Sequence, residues 1–192
     1  MTALVGVFVG GRSSRMGGSP KGLLTAPDTG ETLVGRALRI ARELSLDVAL
    51  VGEARAYADV APDVPVIADD PAGIGPLGGL RALFLAAKGR ALIALACDMP
   101  FVSSASLRAL VEAPPAGCVA ARSSDGVHWE PFFARYDAAL AAPVATAMVG
   151  RGERSLQRLV EALDPRAIAV DPSSVIDWDT PDDVALRRCR TP

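Results

Sequence analysis

Three apolar runs in the first hundred residues, ALVGVFV at 3–9, DVALVG at 47–52 and ALIALAC at 91–97, are separated by stretches whose apolar residues recur at helical spacing. That alternation restricts the fold most, because strands joined through helices are driven into right-handed crossovers and a mostly parallel sheet. Leu33, Ala37, Ile40 and Leu44 mark a helix between the first two runs. VPVIADD reads as a short strand ending in acid, and PLGGLRALFLAAKG predicts a second helix that starts near Gly78 and stops at Gly89. Past Pro114 the rhythm loosens. CVAARSS and WEPFFARY predict two strands about a turn at Asp125-Gly126, helices follow around Leu140 and Ser155, and AIAV gives an edge strand. Thr180, Pro181 and Asp183 form the capping signature of a last helix. The expected fold class is α/β.

With 192 residues, half of them apolar, the chain can fill one α/β core, and it shows no repeat or linker that would divide it. A formal net charge of -2 makes the basic residues near the start a local concentration and not part of a nucleic-acid surface. The N-terminal apolar run is broken by Gly10-Gly11, too early for a signal peptide or a membrane span. Cys97, Cys118 and Cys189 are an odd, scattered set that suits reduced thiols, so a cytoplasmic protein is expected.

The stretch VGGRSSRMGGSPKGLL follows directly on the first apolar run. In a parallel sheet it would leave at the carboxyl edge, where ligands bind. Glycines at 10, 11, 17 and 18 let backbone N–H groups approach an anion, and Arg12, Arg15 and Lys21 add positive charge for phosphate oxygens. The loop reads as a polyphosphate cradle, although it matches neither the P-loop nor the dinucleotide fingerprint. In ALIALACDMPFV a buried run ends in Asp98 on the same edge. A hard oxygen ligand there suits Mg²⁺, which takes one or two carboxylates plus phosphate oxygens and water. Capping the next turn is the alternative use. In DWDTPDD, Asp177 and Asp179 offer a second acidic ligand, or simply the acids that helix N-termini attract.

These segments together carry a family resemblance. GVFVGGRSSRMGGSPKGLL resembles the nucleotidyltransferase signature L-A-G-G-x-S-x-R-M-G-x-x-K-x-L-L, and ALACDMPFV resembles that family's metal-binding C-D-M-P-F. GPLGGL at 75–80 and DWDTPDD at 177–183 resemble two further segments of the NTP-transferase family, in the right order. The resemblance spans nearly the whole chain and implies a three-layer Rossmann-like nucleotidyltransferase fold. It is nearest to the branch that transfers GMP from GTP to molybdenum-carrying molybdopterin. Residues 1–113 would then form the nucleotide-binding half and 114–192 the acceptor-binding half of one domain.

Residue by residue, the resemblance implies GTP contacts from Phe8, Val9, Gly10, Gly11, Lys21, Asp69 and Asp98, with Asp98 as the magnesium ligand and Asp179 as a possible second. Lys21 and Arg15 would bind the β- and γ-phosphates and act with Asp98 in catalysis. Here Phe8-Val9 replaces the Leu-Ala of the signature, and the asparagine often found after the second strand is not evident in VALVGEA. The reaction needs no strong general base, because the acceptor phosphate is already an anion; alignment and charge neutralisation carry it. Arg151 and Arg154, in GRGERSLQRL, could receive that phosphate or could form a solvated basic loop. His128 is the single histidine, which excludes a histidine dyad. Expected partners are GTP, molybdopterin and, transiently, the molybdoenzyme or chaperone that takes the finished cofactor, with no nucleic acid and no membrane. A cytidylyltransferase of the same cofactor, a transferase for another small phosphate, and a nucleotide-binding module without turnover remain the alternatives.

Overall fold

The computed structural model describes residues 3–9, 20–123, 126–178 and 183. Seven strands, β1 (Leu4–Phe8), β2 (Asp47–Val51), β3 (Val66–Ile67), β4 (Ala91–Ala96), β5 (Cys118–Arg122), β6 (Trp129–Asp137) and β7 (Arg166–Ala167), form one sheet in the order β3-β2-β1-β4-β6-β5-β7. The β3-β2-β1-β4 block is parallel throughout, β6 is antiparallel to both β4 and β5, and β7 is parallel to β5. Helices α1 (Leu33–Glu43) and α3 (Ser104–Glu112) cover one face; α2 (Pro76–Ala86), α4 (Ala138–Gly150) and α5 (Leu156–Glu161) cover the other. The result is the expected three-layer α/β architecture with a mostly parallel sheet.

Strand parity explains the two cores. Val5 and Val7 of β1 and Ile93 and Leu95 of β4 point to the α1/α3 face, where they meet Val34, Leu38 and Leu107. Leu4, Leu92 and Ala94 point to the other face and meet Leu77, Leu80 and Leu83 of α2. Parallel strands covered on both faces are continuous apolar runs, which is why the first three runs stood out in the sequence. The helix ends are set locally. The Thr32 hydroxyl accepts from Gly35 N–H at 3.1 Å, Ser103 and Ser106 form a reciprocal capping box, and Asp137 caps α4 through the N–H groups of Ala139 and Leu140. Among the described residues no helix is long and apolar enough to cross a membrane.

Three sequence expectations shift. Helix α2 starts at Pro76, two residues before Gly78, because Gly75 takes a φ of 85° and leaves the proline at the first helical position. The strand expected at VPVIADD shrinks to Val66–Ile67, and the AIAV edge strand is displaced to Arg166–Ala167, with Ile168 N–H still donating to Ala120 O at 3.0 Å. Gly126 turns the β5–β6 hairpin at φ 71°. Asp125 and the capping signature at Thr180 and Pro181 lie outside the described residues.

Buried Arg36 ties together the segments that will matter below. Its Nε donates to Val102 O at 3.0 Å and its Nη1 pairs with Asp28 Oδ1 at 2.7 Å, so one guanidinium links the loop after Lys21 to the loop after Asp98.

Candidate active site

From β1 the chain moves outward through β2 to β3 and then crosses back to β4 on the far side of β1. The strand order therefore reverses between β1 and β4, and a crevice opens beyond their carboxyl ends. A cleft of about 360 Å³ lies there, lined by Phe8 and Val9 after β1, Gly52 and Glu53 after β2, Asp69 after β3, Cys97 and Asp98 after β4, and by Lys21, Tyr57, Gly75, Pro76 and Phe132. The size is within the usual range for a small-molecule site.

Lys21 and Asp98, 77 positions apart in the chain, meet in this cleft. Lys21 opens the short 3-10 turn Lys21–Leu23, and its Nζ donates to Asp98 Oδ2 at 3.0 Å with both side chains about one-fifth exposed. Asp98 Oδ1 takes no hydrogen bond among the described residues. The backbone of Asp98 is held separately: its carbonyl accepts from Trp178 N–H at 3.0 Å. Trp178 is fully buried against Ala26 and Leu33 and meets Phe101 edge-on, with ring centroids 6.3 Å apart. The DWDTPDD segment thus begins beside the backbone of Asp98, but Asp177 does not line the cleft, and Asp179 lies outside the described residues, as do Gly10, Gly11, Arg12 and Arg15.

Asp69 lines the opposite side of the cleft. Its carboxylate has no hydrogen bond or ion pair among the described residues, and burial raises its affinity for the proton above the ordinary carboxylate range. Two glycines of GPLGGL make room for it. A Cβ on Gly79 would stand 2.9 Å from Asp69 Oδ1 and 3.0 Å from Phe8 Cε1, and one on Gly78 would stand 2.6 Å from the Pro71 carbonyl oxygen. These two glycines belong to α2 and serve packing, while Gly75 stands just before the helix as its N-cap. Arg81 of α2 then fastens the same loop by pairing with Asp70 Oδ2 at 2.7 Å.

The Phe8 departure also has a physical outcome. Phe8 is in register with Ala96, and Leu95 with Phe133, which sets Phe132 on the far side of Ala96. Across that small methyl the Phe8 and Phe132 rings meet at 4.6 Å, tilted by 46°. The larger residue at position 8 is absorbed by an aromatic contact with β6.

The remaining expectations divide. Arg151 and Arg154 sit in the turn between α4 and α5, at the same sheet edge, but neither lines the cleft, and Arg151 Nε pairs with Glu153 Oε1 at 2.8 Å. His128 is exposed at the end of the β5–β6 hairpin. Among the described residues no three His, Cys, Asp or Glu side chains converge to hold a metal. Tyr57, Glu53 and Phe132 had not been anticipated. Glu53 could have been found by the rule that located Asp98, since both follow a parallel strand at its carboxyl end. Phe132 and Tyr57 depend on non-local register and packing.

The chain matches the family described as the MobA-like NTP transferase domain over residues 5–167. It is 35% identical over 184 residues to the molybdenum cofactor guanylyltransferase of Pseudomonas putida (strain GB-1), covering 92% of each chain. It is 34% identical over 174 residues to the protein of the same name in Pseudomonas syringae pv. syringae (strain B728a), covering 86% of this chain and 82% of that one. The crystal structure of molybdopterin-guanine dinucleotide biosynthesis protein A from Archaeoglobus fulgidus superposes with a TM-score of 0.75 at 23% identity, covering 96% of both chains, and shares the fold.

Proposed function

The chain belongs to the MobA-like NTP transferase family and is a nucleotidyltransferase, and from that premise we propose that it transfers GMP from GTP to the terminal phosphate of molybdenum-carrying molybdopterin, releasing pyrophosphate. The observation that carries this reading is the cleft at the strand-order reversal, which holds a phosphate-seeking cation, Lys21, against a hard-oxygen ligand, Asp98, and keeps a carboxylate with no partner among the described residues, Asp69, across from them. Relatives over 30% identical across most of the chain, named for guanylyl transfer to the molybdenum cofactor, support the choice of substrates.

In the nucleotide-free chain Lys21 neutralises Asp98. The nucleotide's phosphates are the stronger anion, so Lys21 turns to the β- and γ-phosphates and releases the carboxylate. Asp98 fits Mg²⁺ chemically: its Oδ1 is already open among the described residues, and one protein carboxylate suffices when phosphates and water complete the shell. Bound there, Mg²⁺ would supply charge neutralisation to the phosphates. The acceptor phosphate attacks as an anion, which makes alignment the main work of the site. Asp69 suits the donor edge of guanine, a ring N–H beside an amino group, because a carboxylate accepts both. Cys97 is not a ligand or nucleophile here: burial pushes its thiol up to about 12, so it stays neutral. Cys97 and Cys118 are buried free thiols, in keeping with a cytoplasmic location.

Asp69→Asn separates stability from binding. A carboxylate whose folded pKa is raised destabilises the fold; the cost is fully present above that raised value and disappears as pH falls below the unfolded value. The asparagine variant is therefore expected to melt higher than the parent at pH 7 without nucleotide, with the advantage shrinking as pH falls through the carboxylate range. It is also expected to bind GTP at least about tenfold more weakly, the scale of one charge-assisted hydrogen bond. Thermal scans and calorimetry measure both, and a variant that binds GTP normally would remove Asp69 from the site.

Nucleotide choice tests the reading itself. GTP with Mg²⁺ is expected to raise the Tm of the parent more than CTP or ATP at equal concentration, since a ligand at about 100 times its Kd stabilises by about 2.7 kcal/mol. A larger shift with CTP would favour cytidylyl transfer, and no shift with any nucleotide would favour a binding module without turnover.

A further inference from the structure

Strand β6 enters the sheet through a bulge. Against β5, Trp129 stands opposite Arg122 and Ala134 opposite Ala120, so β6 runs five residues where β5 runs two. Its register with β4 ends at Phe133. Glu130, Pro131 and Phe132 therefore lie outside both registers, which accommodates a proline that has no N–H to give to a central ladder. The bulge is held at both ends. The Gln157 side chain of α5 accepts from Trp129 N–H at 2.9 Å and donates to Trp129 O at 2.8 Å, and the buried Tyr136 hydroxyl donates to Pro131 O at 2.8 Å. Its outcome is a change of parity: Trp129 and Phe132, three positions apart, both pack on the α2/α4 side, where strict alternation would divide them. Re-aiming a side chain at a functional cleft is a recurrent use of such bulges.

Phe132 is the residue so aimed. It is half-buried and, among the described residues, the only one beyond Asp98 that lines the cleft. Asp69 after β3 and Asp98 after β4 bracket the space for the nucleotide, and β6 lies beyond β4, on the side away from β3. The two faces of the sheet divide the cleft in a second direction. Gly22, next to Lys21, packs on Tyr57 and Cys97 of the α1/α3 core, whereas Phe132 packs on the α2/α4 core. In-line displacement brings the acceptor in opposite the leaving group, so a pyrophosphate drawn to Lys21 leaves the Phe132 side to the acceptor. The Phe132 ring rests on Phe8 at 4.6 Å and carries no polar atom, so it can recognise another ring but not a phosphate. We propose that Phe132 is an acceptor-binding residue, an aromatic wall on which the fused ring system of the pterin stacks while its terminal phosphate reaches the α-phosphate of the nucleotide. This role rests on the nucleotidyl-transfer reading given above.

Phe132→Ala is expected to raise the KM for molybdenum-carrying molybdopterin at least about tenfold, the scale of one lost stacking contact, with the KM for GTP within about threefold of the parent. Phe132→Leu keeps apolar volume against Phe8 but has no aromatic face, and is expected to show the same acceptor defect; it also serves if the alanine variant does not fold. Phe132→Tyr keeps the ring and is expected to hold the acceptor KM within about threefold of the parent. An acceptor KM unchanged in the alanine or leucine variant would overturn the proposal. So would a rise confined to the KM for GTP, which would make Phe132 part of the purine pocket, or a tyrosine variant as defective as the leucine one. If the parent chain releases no pyrophosphate from any nucleotide, the transferase reading fails on its own. Calorimetric titration of molybdopterin alone then decides: weaker binding by Phe132→Leu than by the parent supports the stacking wall, and equal binding, or no binding by the parent, overturns it.

Discussion

Asp98→Asn is expected to lower turnover by at least about 10³-fold, corresponding to about 4 kcal/mol of transition-state charge stabilisation. Asparagine fills the same space but offers only a neutral oxygen where a hard cation has to be held among phosphate oxygens. The fold should tolerate the change. Asp98's backbone stays anchored by the Trp178 N–H, and the lost ion pair joins side chains that are both about one-fifth exposed. A Tm within a few degrees of the parent is therefore expected. Mg²⁺-dependent GTP binding, read by calorimetry, should weaken along with turnover. A folded Asp98→Asn enzyme with near-parental rates would show that the metal is held elsewhere.

Lys21→Ala is expected to cost at least about 10² in kcat, the scale of removing one preorganised donor from developing charge. The lysine enters a short turn whose backbone bonds, Leu23 N–H to Pro20 O and Leu24 N–H to Lys21 O, do not involve its side chain. The variant should fold accordingly. Because the lysine contacts phosphates before and during transfer, kcat/KM is expected to fall at least as far as kcat. Pyrophosphate release under saturating GTP measures it, and unchanged turnover in a folded variant would take Lys21 out of the mechanism.

The chain's own pattern made the parallel block legible. Runs such as ALVGVFV and ALIALAC are apolar on both parities because both sheet faces are covered, and Asp98 stands out because a carboxylate ends such a run. The place of β6 was not legible. WEPFFARY announces a strand, but its insertion between β4 and β5 is decided by packing of Phe133, Ala134 and Tyr136 against residues distant in the chain. The same holds for the cleft: Asp69, Lys21 and Asp98 carry polar chemistry that a reader can single out, whereas Phe132 and Tyr57 look like ordinary core aromatics until register brings them to the edge. In GPLGGL the sequence places a helix start near Gly78, two residues late, and what it does not show is why the glycines are there: Gly78 and Gly79 lie in a helix that must pass within contact of Asp69 and the Pro71 carbonyl.

The most direct test of guanylyl transfer is to incubate the purified chain with Mg²⁺, molybdenum-loaded molybdopterin and either GTP or CTP, measuring pyrophosphate and identifying the pterin product by mass. Equal amounts of pyrophosphate and a GMP-bearing pterin from GTP, with little product from CTP, is the expected result. Preferential product from CTP, or no pyrophosphate from GTP in the presence of the acceptor, would contradict it.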